Sequence, residues 1–279
     1  MECNQKLKEI SILIVIYNKK LEESSSFQSI INSLSLVDKG LNVVIWNNGP
    51  VSILDEAERY KEIFFEETLY NEGLAILYNK FIDKYPAEKF LILDDDSTFK
   101  VDFITKLLLS KNEISLPLII AGECIRYPRY KGKIVNNNSV LNETKSLISI
   151  GSGLCISDKV VELMIKKYGS VFDENFYLYG VDSTFFYRLN DIDIKSINIS
   201  GEIYHSLSKY EPESDKRKKF RFIERGYDLS LQLKYYPSIK IIKSVFKHTL
   251  SLLFNYELRL ILDFLKCYLN GYHPRKKIS

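Results

Sequence analysis

Strand-like apolar runs alternate with helix-like segments through the first 120 residues, and that order restricts the fold more than any other property of the chain. Ile10–Ile16 is strongly β-branched, the composition of a buried strand. After a polar, serine-rich segment, Phe27, Ile30, Ile31 and Leu34 fall at helical spacing. Leu41–Trp46 reads as a second strand, closed by the turn sequence Asn47-Asn48-Gly49-Pro50. Ile63–Phe65 is a candidate third strand, Leu74–Tyr85 a helix, Phe90–Leu93 a strand and Pro117–Gly122 a further apolar run. Such a βαβα order predicts an α/β fold, with a mainly parallel sheet covered by helices.

The pattern breaks from Tyr127 to Asn142, where basic, Asn-rich and turn-prone residues suggest a mobile loop or a small excursion. Order resumes at Leu147–Ile156, with Gly151-Ser152-Gly153 inside it. Ser157 or Asp158 is placed to cap a helix running to Lys167. Phe172–Tyr179 reads as extended, Asp182–Leu189 as a short helix and Ile194–Ile199 as a last strand. Ser214–Tyr236 is a basic helical stretch ended by Pro237. Ile239–Leu269 then shows helical spacing, with Lys240, Lys243 and Lys247 on one face. A catalytic domain over 1–212 and a helical region over 213–279 are therefore expected.

Charge separates the same two parts. Residues 240–279 carry eight Lys/Arg against two Asp/Glu, whereas the preceding 239 carry 31 against 34. A near-neutral body with a basic, apolar tail argues against a nucleic-acid groove and for contact with an anionic membrane surface. Packing of the tail on the body, or on a second subunit of a homo-oligomer, is the alternative. No stretch reaches the roughly 18 apolar residues of a membrane span, and the N-terminal apolar run is too brief for a signal peptide. Cys3, Cys124, Cys155 and Cys267 are scattered without a CxxC pair, which speaks against a disulfide framework or zinc site and fits a reducing cytoplasm.

Three consecutive acids, Asp94, Asp95 and Asp96, follow the Phe90–Leu93 run. They repel one another, and the end of a buried strand is a costly place for them unless a cation is present. The carboxyl ends of strands are also where open α/β sheets bind ligands. A hard divalent ion with phosphate oxygens as further ligands would relieve the repulsion. In an extended segment Asp94 and Asp96 share one side and Asp95 points away. A charged surface turn is the plainer alternative.

Four segments in order resemble family 2 glycosyltransferases. They are Ile10–Asn18, Asn71-Glu72-Gly73 with Asn79 beyond, Leu93–Ser97, and Phe172–Phe176 followed by Val181-Asp182 with Arg188 closing the segment. The bacterial rhamnosyltransferase-like branch is the most similar variant. The resemblance covers roughly residues 10–207 and implies a GT-A fold (a Rossmann-like, mainly parallel central sheet flanked by helices) with a C-terminal helical, amphipathic extension. It implies inverting transfer of rhamnose or a hexose from a nucleotide-diphosphate donor, dTDP- or UDP-linked, to a glycan or lipid-linked acceptor. That places the chain in surface polysaccharide synthesis, O-antigen or capsule, peripheral on the cytoplasmic face of the inner membrane.

By the same pattern, Asp96 is the direct ligand of Mn²⁺ or Mg²⁺ and His205 a second one, while Asp94 and Asp95 face the donor. Asp182, at a helix start where a carboxylate is stabilised, is the general base; its bland alternative is an N-cap. Tyr17, Asn18, Asn47, Asn71, Gly73 and Asn79 are expected around the nucleotide. The family usually has aspartate where Asn47 stands, so the base preference is open. Trp46 either belongs to the core or flanks the base. Gly151, Ser152 and Gly153 are expected on the acceptor side, with a bend as the alternative, and the basic stretch Arg126–Lys133 near the donor diphosphate or acceptor, or simply in solvent.

A different enzyme class also fits the acids. Asp94-Asp95-Asp96-Ser97-Thr98 satisfies the DxDxT of haloacid-dehalogenase-type phosphatases, in which the first aspartate is a nucleophile. That motif normally follows a first strand, and the later acidic pair it needs is missing near Asp182. A non-catalytic glycan-binding protein is the remaining alternative.

Overall fold

The computed structural model describes residues 7–34, 40–205, 214–254 and 257–276. Strands β1 (Ile10–Ile16), β2 (Leu41–Asn47), β3 (Phe64–Glu67) and β4 (Lys89–Asp94) form a parallel half-sheet in the order β3-β2-β1-β4. Helices α1 (Ser25–Leu34), α2 (Leu54–Ala57) and α3 (Leu74–Lys84) lie in the connections between them. Alternation along β1 feeds two apolar layers. Ile10, Ile12, Ile14 and Ile16 enter one, with Phe27, Ile30 and Phe103, while Leu13 and Val15 enter the other, with Tyr78, Phe81 and Phe172. The one polar residue within β1, Ser11, is fully buried; its Oγ donates to Tyr85 O and accepts from Asn42 Nδ2.

Beyond β4 come β5 (Ser97–Phe99), α4 (Phe103–Leu109) and β6 (Ile114–Ala121). Short strands follow: β7 (Cys124–Tyr127), β8 (Arg129–Tyr130), β9 (Lys133–Ile134), β10 (Ser139–Leu141) and β11 (Leu147–Ile148). Within Tyr127–Asn142, expected as a mobile loop or a small excursion, β8 and β9 form a small sheet with β11. Next come β12 (Leu154–Ser157), α5 (Asp158–Tyr168), α6 (Val181–Leu189) and β13 (Ile197–His205). β12 inserts antiparallel between β4 and β6, and β13 runs parallel to β6, so the central sheet is mixed. Ser157 caps α5, accepting from Val160 N–H.

Three expectations change. β6 starts at Ile114 and runs through Pro117, opposite the irregularity where β13 shifts register after Ile199. Phe172–Tyr179 is a series of turns and bends, not a strand, because Phe172, Phe176 and Tyr177 are all buried instead of alternating. The Ile239–Leu269 segment is two helices, α8 (Ile239–Phe254) and α9 (Leu258–Asn270), which both pack on α7 (Asp215–Tyr235). Folding back buries Phe264 and Cys267 against α7, which one continuous helix would leave exposed.

The helical region shares the core of the body. Leu231 and Cys267 belong to the same apolar layer as Phe172 and Phe185, and His273 N–H donates to Asn175 O. No helix among the described residues is long and apolar enough to cross a membrane.

Candidate active site

The carboxyl ends of β1, β2 and β4 lie side by side, and the acids sit at the end of β4. Asp94 is the last strand residue; Asp95 and Asp96 form a two-residue turn into β5. Strand alternation is therefore not what brings Asp94 and Asp96 together. The turn does, and β13 completes the group by pairing His205 with Ser97. His205 Nδ1 lies 3.0 Å from Asp96 Oδ1, and its Nε2 3.7 Å from Asp94 Oδ2. Asp95 turns away and pairs with Lys19 Nζ at 2.7 Å.

Serines hold this turn. The Ser26 hydroxyl donates to Asp94 O and accepts Ser97 N–H, and Ser24 Oγ donates to Asp95 O at 2.9 Å. Ser152 Oγ accepts Asp94 N–H at 3.0 Å and meets Ser97 Oγ at 2.6 Å; Ser97 Oγ in turn lies 3.0 Å from His205 Nδ1. Burial pushes the Asp94 carboxyl up, partly opposed by His205 and reinforced by Asp96, Asp182 and Asp95. Burial works against a charged His205, yet Asp96, Asp94 and Asp182 outweigh it and raise its pKa.

Ligand atoms of Asp94, Asp96 and His205 lie within 4.8 Å of one another. Asp96 Oδ1 is buried and, beyond His205 Nδ1 at 3.0 Å, has no hydrogen-bond partner among the described residues. Two carboxylates brought together beside one imidazole are costly in themselves and fit a divalent cation. Two carboxylates and one imidazole suit Mn²⁺ or Mg²⁺ better than a soft ion.

Asp182 is the second residue of α6, after Gly180, which caps the helix in the left-handed region (φ 84°). Its carboxylate accepts the backbone N–H of Gly151. A Cβ on Gly151 would stand 2.6 Å from Asp182 Oδ1, so the glycine is what admits the carboxylate. Burial raises the Asp182 pKa to about 6, against the pull of that N–H and of His205. Gly151 and Ser152 thus join the two ends of the site, one touching Asp182 and the other Asp94. Gly153 adopts φ 85° with Pro117 packed against it, the tight bend weighed as its alternative.

The residues expected around the nucleotide fall into two groups. Tyr17 is half exposed at the end of β1, and Asn18 follows it with φ 51°. The others are committed to the scaffold. Asn47 is 1% exposed; its amide donates to Val51 O and Glu67 Oε1, and its Oδ1 accepts Gly49 N–H. Asn48, also buried, ties that turn to the next loop through Asn71 Oδ1 and the backbone of Glu72. Asn79 reaches the other way, exchanging hydrogen bonds with the backbone of Phe172 and donating to Glu174. A Cβ on Gly73 would lie 2.9 Å from the Tyr177 ring, which gives this glycine a packing reason of its own. Trp46 is core, its indole N–H donating to Thr68 Oγ1. Arg188 is buried and pairs with Asp173 at 3.2 Å.

Several contributors had no signal in the local sequence. Tyr177 donates its hydroxyl to Asn71 O and accepts Leu74 N–H at its carbonyl, so it fixes the loop leading into α3. Its ring stacks on His273 at 5.0 Å, with the Arg275 guanidinium 4.6 Å away. Ser24 and Ser26 lie in the serine-rich stretch, whose composition marked only a polar segment.

No family model matches the sequence. The DNA mismatch repair protein MLH1 of Saccharomyces cerevisiae is 31% identical over 110 residues, 39% of this chain. The chain spans 13% of that curated relative's length, and so short a match carries no activity across. The solved structures it resembles are glycosyltransferases. S. aureus TarS 1-349 has a TM-score of 0.54 at 14% identity, covering 94% of this chain and 78% of that one. The same protein in complex with UDP-GlcNAc gives 0.52 at 13%, with 94% and 79% covered. GalNAc-T7 with UDP, GalNAc and Mn²⁺ gives 0.54 at 12%, with 88% and 55% covered. At these identities the likeness shows the fold, and the fold is GT-A.

Proposed function

We propose that this protein is a metal-assisted, inverting glycosyltransferase that moves rhamnose or a hexose from a nucleotide-diphosphate donor to a hydroxyl of a glycan acceptor. One observation carries the reading. Asp182 and the Asp94–Asp96–His205 group stand in one site, held together by the adjacent residues Gly151 and Ser152. Asp94, Asp96 and His205 would hold Mn²⁺ or Mg²⁺, which supplies a Lewis acid for the developing charge of the diphosphate. Asp182, with a pKa near 6, is mostly ionised at neutral pH and basic enough to take a proton. It removes the acceptor hydroxyl proton as that oxygen bonds to the anomeric carbon. The carbon–oxygen bond to the nucleoside diphosphate breaks on the opposite face, which inverts the centre.

Neighbours solved with UDP-GlcNAc, or with UDP, GalNAc and Mn²⁺, support a UDP-linked donor, with a dTDP-sugar the alternative from the sequence resemblance. With Asn47 held in its own turn, base selection falls to Tyr17, Asn18 and backbone groups. The acceptor is a growing, lipid-linked surface glycan. The site of action is the cytoplasmic face of a membrane, reached through α8 and α9. Their exposed Ile242, Phe246, Leu262 and Leu269, with Lys240, Lys243 and Lys247 alongside, support that placement. The phosphatase alternative gains no support, since Asp94 closes a fourth strand and shares His205 with Asp96.

A thermal-shift panel of UDP- and dTDP-sugars with and without Mn²⁺ tests the reading. A donor that stabilises the fold only with metal is expected. Equal melting across the panel would remove the nucleotide-sugar assignment.

A further inference from the structure

Helices α7, α8 and α9 enclose a groove of about 250 Å³, and no residue of the candidate active site lines it. Leu229 and Leu233 of α7 form its floor, Val245 and Thr249 of α8 one wall, and Ile261 and Leu265 of α9 the other. A Cβ on Gly226 would overlap the Phe264 ring, so this glycine is what lets α9 settle onto α7. No Lys, Arg, Asp or Glu lines the groove. The Ser230 hydroxyl is used by its own helix, donating to Gly226 O. Burial, with Arg225, holds the His248 pKa below its ordinary value, so that ring lines the groove in its neutral form.

The mouth of the groove opens between two exposed apolar stripes. Ile242, Phe246 and Leu253 share the next face of α8 outward from the groove, and Leu258, Leu262 and Leu269 share the corresponding face of α9. Beyond each stripe, at helical spacing, comes a basic edge. Lys240, Lys243 and Lys247 lie on α8, and Arg259 and Lys266 on α9, all exposed. An uncharged slot thus sits at the centre of an apolar face whose two borders are cationic. Apolar cores with basic borders are how a helical surface meets an anionic bilayer.

The width of the slot limits its occupant. α8 and α9 touch each other as well as α7. Helices in contact lie about 8–10 Å apart, and a helix with its side chains is about 10–12 Å across, so no partner helix enters between them. A hydrocarbon chain does: an apolar cavity of about 150 Å³ already accepts benzene. We propose that the groove binds one acyl chain of an anionic membrane phospholipid, drawn part-way out of the bilayer while the basic edges meet the surrounding headgroups. Stable attachment to a membrane takes two signals, and a captured chain adds one to the basic residues. The inference deepens the membrane placement proposed above and rests on it, independently of the sugar chemistry.

The test uses the full chain on phosphatidylglycerol vesicles, at saturating lipid, that contain a phosphatidylglycerol with a photoactivatable diazirine in mid-chain. Labelled residues are mapped by peptide mass spectrometry beside sedimentation. Wild type is expected to take label at Leu229 and Leu233, the groove floor, as well as on the outer stripes. Thr249→Phe, which fills the groove, is expected to cut the floor label at least tenfold while sedimentation and the label at Phe246 and Leu262 stay within twofold. Leu265→Trp fills it from the other wall and serves should the first variant fold poorly. Label confined to the outer stripes of wild type overturns the inference, and so does a floor label unchanged in the groove-filling variants. Farnesyl phosphate that removes the floor label at a tenth of the phospholipid's concentration would give the groove to an isoprenoid and overturn the acyl assignment. A wild type that elutes as a dimer and takes no floor label would give this face to a second copy and overturn it as well. In each of these cases sedimentation with the vesicles leaves the membrane placement standing. Failure of wild type to sediment at all counts against that placement itself, and the inference falls with it.

Discussion

Gly151 donates its backbone N–H to the carboxylate of Asp182, and the missing side chain of Gly151 is what lets that carboxylate in. Asp182 is fixed by a neighbour that contributes only backbone. The neighbouring residue, Ser152, binds the backbone N–H of Asp94. The placement of Asp182 relative to the Asp94–Asp96–His205 group is thus set by one dipeptide. Gly151→Ala puts a Cβ 2.6 Å from Asp182 Oδ1 and must displace the carboxylate. Turnover should fall by roughly a hundredfold, the scale on which a misplacement of about 1 Å acts. Nucleotide affinity should hold. Steady-state kinetics beside UDP calorimetry check this, and unimpaired turnover in the variant rejects the geometry.

Asp182→Asn should retain nucleotide binding and lose nearly all transfer. In the proposed base role Asp182 works as the carboxylate, so turnover should fall as pH drops through about 6. Stability moves the other way. The folded pKa stands above the unfolded value of 3.8, so the folded state holds its proton more tightly. The stabilisation is complete below about 4 and disappears as pH rises through about 6. Asp182→Asn should therefore flatten part of the melting profile between those pH values and gain on wild type at pH 8. A pH–rate profile with no acid limb near 6 would remove Asp182 from the base role.

Asp96→Ala and His205→Ala should each abolish the melting shift that Mn²⁺ produces, because each removes one of three candidate ligands whose donor atoms lie within 4.8 Å. At a metal concentration of 100 times Kd the lost stabilisation is about 2.7 kcal/mol. Asp95→Asn should keep the shift, since Asp95 is paired with Lys19 outside the group. Differential scanning fluorimetry with a Mn²⁺ titration separates the three. A full shift in the Asp96 variant would place the metal elsewhere.

The fold was legible where local chemistry decides it. β-Branched runs and turn residues marked β1, β2 and β4, and Ser157 marked the start of α5. The antiparallel insertion of β12 was not legible, because pairing partners are set by tertiary packing. The asparagines show the same limit within the site. Asn48 finds its partners 23 and 24 residues away, and Asn79 finds its partners 93 and 95 away. A side chain that suits a ligand suits a distant carbonyl equally well, and spacing alone cannot separate them. Asp94 and Asp96 were paired in the sequence by strand alternation, whereas the structure brings them together by a turn at Asp95-Asp96. Residue type identified the pair, and the turn supplied the geometry.

The tail holds the loop before α3 through a chain of contacts that a single substitution should release. Glu224, 6% exposed, takes an ion pair from Arg275 and has His273 Nε2 at 3.3 Å; Arg275 and His273 both lie on the Tyr177 ring. Burial alone would raise the Glu224 pKa, but His273 and Arg275 bring it below its ordinary value. Its stabilisation is therefore present above about 4.5 and lost as pH falls through the lowered folded value. Arg275→Ala should cost about 2 kcal/mol in urea denaturation at pH 7 and weaken nucleotide binding, since Tyr177 then loses one support for Asn71. A variant with lower stability and unchanged nucleotide affinity would show that the tail supports the fold without supporting the site.

Membrane contact has its sharpest test on the charged edge of α8, since α7 and α9 are built into the core and truncation would expose it. Lys240, Lys243 and Lys247 are all exposed, one turn apart, beside the exposed Ile239, Ile242 and Phe246. Each basic residue near an anionic surface contributes about 1 kcal/mol, so reversing three should cut vesicle association by more than a hundredfold. Lys240→Glu, Lys243→Glu and Lys247→Glu together should leave the melting temperature within about 2 °C, because none of the three is buried or in an ion pair among the described residues. Sedimentation with phosphatidylglycerol vesicles at low and high salt reads the effect. Equal sedimentation by the triple variant would mean that this face does not meet the membrane, and that α8 offers its apolar residues to a protein partner instead.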